Sequence, residues 1–134
     1  MAADCGADAV IVSDHGGRML DSSPATIDAL PAIVDAVGKR LTVLFDSGVR
    51  RGSDIVKALA LGAHGVLIGR ATLYGTAAGG EMGAAHAIEI LREETDRMMG
   101  LLGVNKIAKI DRSCIFPPAS EHMSTAVPHM TIAA

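Results

Sequence analysis

The chain has 134 residues, 49 % hydrophobic and 20 % charged, with a formal net charge of −3. That length and apolar content fit one domain with a packed core, and a slightly acidic chain without a basic stripe argues against nucleic-acid binding. Phe45, Tyr74 and Phe116 are the whole aromatic complement, so the stacking platforms that grip single-stranded nucleic acid are missing too.

The amino-terminal stretch MAADCGADAV carries no basic segment followed by an apolar core, and no secretory signal is expected. No apolar run has the length needed to cross a bilayer. Cys5 and Cys114 lack metal-ligand spacing, and reduced thiols in a cytoplasmic protein are the expectation.

Ala9 to Val12 (AVIV) reads as a first strand, buried on both faces because its apolarity is continuous. Residues 13–23 are polar and glycine-bearing, a loop of functional length. Ala25 to Val37 places Ile27, Leu30, Ile33, Val34 and Val37 on one helical stripe, with Ser23 or Thr26 as cap and Gly38 as stop. Leu41 to Phe45 is the second strand. A helix over Ser53 to Leu61 follows, capped by Ser53 and ended by Gly62. Gly65 to Ile68 is the third strand. A helical turn over 72–78 is broken by Gly79-Gly80, and Glu81 to Leu102 forms the longest helix before Gly103. Strands alternating with helices at this spacing predict consecutive βαβ units of a parallel sheet, an α/β fold over residues 1–112. Residues 113–134, with scattered proline, serine and threonine, read as a loosely ordered tail.

Chemistry concentrates where strands hand over to loops. Asp46 to Gly52 (DSGVRRG) follows the second strand and Gly69-Arg70 follows the third. Glycine lets backbone N–H groups approach a ligand, and arginine offers a planar fork of donors for phosphate oxygens. In (β/α)8 barrels the loops after the last two strands often build a phosphate site. Adjacent arginines do not readily reach one phosphate, so Arg50 is read as the ligand contact and Arg51 as solvent-facing or packing. Asp46 is placed to accept hydrogen bonds from polyol hydroxyls. In the first loop, His15 has the titration range of a general base and Arg18 the geometry for a carboxylate. A solvated surface loop is the equal alternative from spacing alone. His64, His86, Met98 and Met99 read as structural or solvated, and His122 and His129 lack a third ligand, so no metal site is expected.

Taken together, SDHGGRMLD, DSGVRRGSDIVKALALGAHGVLIGRATLYG and EILREETDRMMGLLG resemble the carboxyl-terminal part of the FMN-dependent 2-hydroxy-acid dehydrogenases, which include lactate and mandelate dehydrogenases and glycolate oxidase. The resemblance covers residues 3 to about 111 and implies a partial (β/α)8 TIM barrel, about the last three strand-helix units. It implies FMN as cofactor and a small 2-hydroxy acid as substrate. By that resemblance His15 takes the substrate hydroxyl proton and Arg18 binds the substrate carboxylate. Ser13 lies near the flavin ring, Asp46, Gly48 and Arg50 contact the ribityl chain and phosphate, and Gly69 and Arg70 complete the phosphate contacts. The family usually has asparagine where this chain has Asp14. Its amino-terminal substrate tyrosines, the lysine near the flavin and the aspartate that orients the base have no counterpart here. A truncated non-catalytic fragment and another phosphate-binding barrel enzyme are the competing expectations. Open strand edges predict self-association or pairing with a complementing barrel half, and an isolated chain with negligible turnover.

Overall fold

The computed structural model describes residues 1–116. Strand β1 (Ala9–Val12), helix α1 (Thr26–Val37), strand β2 (Thr42–Phe45), helix α2 (Gly52–Ala60), strand β3 (Gly65–Val66) and helix α3 (Arg70–Leu101) follow one another along the chain. The three strands form one parallel sheet in the order β1-β2-β3. Val12 stands opposite Phe45, and Phe45 opposite Val66. The strands therefore end level, and the loops after them leave from one sheet edge.

Side chains alternate across the sheet. Val10 and Val12 of β1 and Val43 and Phe45 of β2 face the helices, where they pack with Leu30, Ile33 and Val34 of α1 and with Ala58 of α2. Leu30 and Val43 are fully buried. A second cluster joins Val56 and Ala60 of α2 to Met99 of α3 and Ile110, with Cys114 and Ile115 packed against it. Residues 113–116 thus include positions packed onto the helices, and the remainder of the segment read as a tail lies outside the described residues.

Several local expectations change. Helix α1 starts one residue later than its stripe, with Ala25 at the N-cap and no side-chain cap. Thr26 instead donates its hydroxyl to the Asp46 carbonyl at 2.9 Å, tying α1 to the end of β2. Ser53 is not the cap of α2. Arg51 holds that position, and Asp54 reaches back to accept the backbone N–H groups of Arg50 and Arg51 at 3.0 Å each. Competition from a carboxylate three residues into the helix explains the shift.

Gly62 does end the α2 turn, at φ +101°, where an added Cβ would press on Val34. Strand β3 is two residues long rather than four, although Leu67 N–H still donates to the Phe45 carbonyl at 2.8 Å. The turn expected over 72–78 begins at Arg70. Gly79 and Gly80 leave the helical region, so α3 is two helical pieces across a sharp kink. Gly75 and Gly83 meet across that kink, where a Cβ on either would overlap the other's backbone.

Candidate functional site

The level strand ends open into a cleft of about 980 Å³. His15, Gly16 and Arg18 come to it from the β1 loop, Asp46, Gly48 and Arg50 from the β2 loop, and Gly69 and Arg70 from the start of α3. Leu67, Leu73 and Tyr74 add an apolar wall. Ser13 is the one expected site residue that does not line the cleft. It lies one residue beyond β1, and its hydroxyl accepts the His15 N–H at 3.1 Å.

The β1 loop is built from left-handed backbone. His15 (φ 55°), Gly16 (φ 74°) and Gly17 (φ 72°) turn the chain back as a short 3-10 segment. The Asp14 carboxylate caps it, accepting Gly16 N–H at 2.6 Å and Gly17 N–H at 3.0 Å. Glycine adopts this region freely, whereas a non-glycine residue such as His15 is strained there. Its neighbours must hold it.

The β2 loop repeats the device with Ser47 (φ 74°) and Gly48 (φ 77°). The Ser47 hydroxyl donates to Asp46 Oδ1 at 2.6 Å and accepts both Asp14 N–H and Gly16 N–H at 3.3 Å. Across the cleft, Arg70 Nη2 donates to the Gly16 carbonyl at 3.3 Å. Asp14 titrates below the ordinary carboxylate range. The adjacent Ser47 hydroxyl is the main cause, the Gly17 and Gly16 amides and the Arg70 charge add to it, and partial desolvation opposes it.

The adjacent arginines of the β2 loop separate as expected. Arg51 turns away from the cleft to Glu94 of α3, with Nη2 2.7 Å from Oε1 and Nε donating to Oε2 at 3.1 Å. The same Oε2 accepts the Gly52 N–H at the start of α2 at 2.9 Å. Arg50 stays on the cleft wall. His64 is structural, because its Nδ1 accepts the Val43 N–H at 3.1 Å.

Ser47 and Glu94 were not singled out by the sequence. The only signal for Ser47 is its place between a strand-end aspartate and a glycine. Glu94 has none beyond being an acidic residue on a helix. Among the described residues no cluster of His, Cys, Asp and Glu has the makings of a metal site.

A family model described as FMN-dependent dehydrogenase matches residues 1–117. This chain belongs to the FMN-dependent dehydrogenase family. It is 51 % identical over 112 residues to an L-lactate oxidase of Nostoc sp., a match that takes 84 % of this chain and 31 % of the relative. An L-lactate dehydrogenase of Caulobacter vibrioides is 54 % identical over 114 residues, 85 % of this chain and 30 % of that one. The solved structure of the monotopic membrane protein (S)-mandelate dehydrogenase superposes with a TM-score of 0.79 at 48 % identity, covering 84 % of this chain and 30 % of the other. The chain therefore spans about 30 % of the length of these relatives. Its parallel three-stranded α/β unit is a part of a TIM barrel.

Proposed function

We propose that this chain carries the phosphate half of an FMN site, the base and the carboxylate-binding arginine of an enzyme that oxidises a small 2-hydroxy acid to the 2-oxo acid, working as part of a fuller barrel. The observation that carries this reading is the convergence of His15, Arg18, Arg50 and Arg70 on one cleft at the carboxyl ends of parallel strands, the edge where such folds place their sites.

The donor set fits a flavin mononucleotide. Arg50 and Arg70 offer charge-assisted bonds to a phosphate, and α3 begins at Arg70 with its free N–H groups and positive dipole end. Gly48 and Gly69 line the cleft, and a Cβ at either would meet no protein atom within 4 Å, so the backbone is open to a ligand there. Asp46 Oδ1 is taken up by Ser47, and its other oxygen is available for a ribityl hydroxyl. FMN supplies the two-electron acceptor when bound, while the protein orients it and tunes it.

Arg18, exposed on the loop, pairs with the substrate carboxylate in bidentate fashion. His15 removes the hydroxyl proton at its imidazole as the α-hydrogen leaves the substrate. Among the described residues no carboxylate bonds that imidazole. A reducing, cytoplasmic setting is proposed on the sequence alone, since two cysteines give no disulfide framework.

Titration of FMN against the purified chain, followed by flavin fluorescence, tests the cofactor half. Turnover of lactate and mandelate, with this chain alone and completed by the remaining barrel, tests the catalytic half. Absence of flavin quenching by the completed barrel sinks the reading.

A further inference from the structure

We propose that Ser47 is a positioning residue for His15: its hydroxyl pins the strained catalytic loop after β1 onto the loop after β2. The proposal rests on the reading of His15 as the base.

Ser47 is a non-glycine residue in the left-handed region, at φ 74°, directly before Gly48 at φ 77°. A turn of that shape is made more easily by glycine, since a side chain is strained there. What the serine adds is its hydroxyl. Its one hydrogen lies toward two neighbouring carboxylates, Asp46 Oδ1 at 2.6 Å and Asp14, and its oxygen receives Asp14 N–H and Gly16 N–H at 3.3 Å. The two amides belong to the residues immediately before and after His15. His15 itself stands at φ 55°, so the strained residue is held from both sides by one oxygen that is 31 to 33 residues away in sequence.

The Gly16 peptide is also held at its other end, where Arg70 Nη2 donates to its carbonyl. Arg70 has a second duty toward phosphate, and Asp14 provides a local cap for the Gly16 amide. The Asp14 amide, in contrast, has Ser47 Oγ as its acceptor among the described residues. Ser47 is thus the element that ties the backbone of the base to the phosphate loop rather than to its own turn.

The test uses the full 134-residue chain, labelled with 15N and 13C, as wild type, Ser47→Gly and Ser47→Ala. Glycine keeps the turn and relieves its strain, so the hydroxyl is removed without distorting the backbone. We expect both variants to speed solvent exchange at the Asp14 amide by about fivefold, the equivalent of one ordinary hydrogen bond, with a smaller rise at Gly16, which keeps the Asp14 carboxylate, and to shift the His15 ring resonances. The strand amides of Val43 and Leu44 stay as they were. Unchanged exchange in the Ser47→Gly chain would overturn the proposal, because the turn alone would then hold the loop. Faster exchange with unmoved His15 ring resonances would overturn it as well, leaving Ser47 a structural tie only. Addition of FMN to the wild-type chain is a separate arm. If no quenching occurs there or in the completed barrel, the flavin reading fails while the exchange data still judge whether the hydroxyl fixes His15.

Discussion

Arg70 Nη2 reaches the Gly16 carbonyl at 3.3 Å, across 54 residues of sequence. One guanidinium thereby links the start of α3, where a phosphate would sit, to the carbonyl of the residue that follows His15. A charge-assisted bond to phosphate is worth about 1.5–3 kcal/mol, so Arg70→Ala should weaken FMN binding by roughly ten- to a hundredfold. Isothermal titration on the form of the protein that binds FMN reads this directly. Arg70→Lys should recover only part of it, because a point charge cannot hold the carbonyl and a phosphate oxygen in one planar fork.

Asp14 places a second charge beside that guanidinium. Its carboxyl is held ionised by the Ser47 hydroxyl first, and then by two amides and Arg70. An anion entering the cleft meets this negative charge, whereas asparagine would keep the acceptor for the Gly16 and Gly17 amides without it. The group is solvent-accessible, so the effect is modest. Asp14→Asn should tighten FMN or inorganic phosphate binding by about two- to fivefold at low salt, and the gain should fade as ionic strength rises. Equal affinity at every salt concentration would show that Asp14 does not reach the phosphate electrostatically.

The seam between α2 and α3 gives a pH prediction. Glu94 titrates below its ordinary range, chiefly because it accepts the Gly52 N–H and next because it pairs with Arg51. A carboxylate depressed in the folded state adds stability that is present above its unfolded value and is lost as pH falls through the folded one. Thermal melts of the wild type should therefore drop below the ordinary Glu range, and Glu94→Gln should remove this part of the drop while lowering Tm at neutral pH. Gly52→Ala probes the same seam by volume. Its Cβ would overlap the Glu94 and Thr95 backbone, and overpacking of that kind costs about 1–3 kcal/mol in denaturant melts.

These residues also mark how far the sequence reaches. The strands, the glycine stops and the loops that carry His15, Arg18, Arg50 and Arg70 are local patterns, and they were legible because period and turn chemistry act within a few residues. The separation of Arg50 from Arg51 followed from geometry alone, but its agent, Glu94, lies 43 residues from Arg51. Ser47 meets Asp14 and Gly16 only because β1 and β2 end level in the sheet. Bonds of that range leave no signature in the chain. The caps failed for a related reason: Thr26 was spent on the Asp46 carbonyl and Asp54 displaced Ser53, choices made by tertiary contacts rather than by propensity.

The last prediction concerns the face of the sheet away from the helices. Val10, Val12, Val43 and Phe45 pack toward α1 and α2, so Ile11 and Leu44 turn to the opposite side. They are register partners, and Leu44 in turn stands opposite Gly65, so two apolar side chains lie beside a glycine that leaves the face open at β3. Ile11 is 51 % exposed, and no described element covers it. Among the described residues β1 and β3 each pair on one side only, with β2, leaving two rows of free backbone donors and acceptors. An uncovered apolar face beside open edges is the combination that recruits further strands. The 134-residue chain alone should self-associate in a concentration-dependent way, and Ile11→Lys should shift it toward the monomer, as an edge-strand lysine opposes pairing. Light scattering from micromolar to millimolar concentration reads both. A wild-type chain that stays monodisperse and monomeric over that range would remove the assembly prediction and leave the cleft residues untouched.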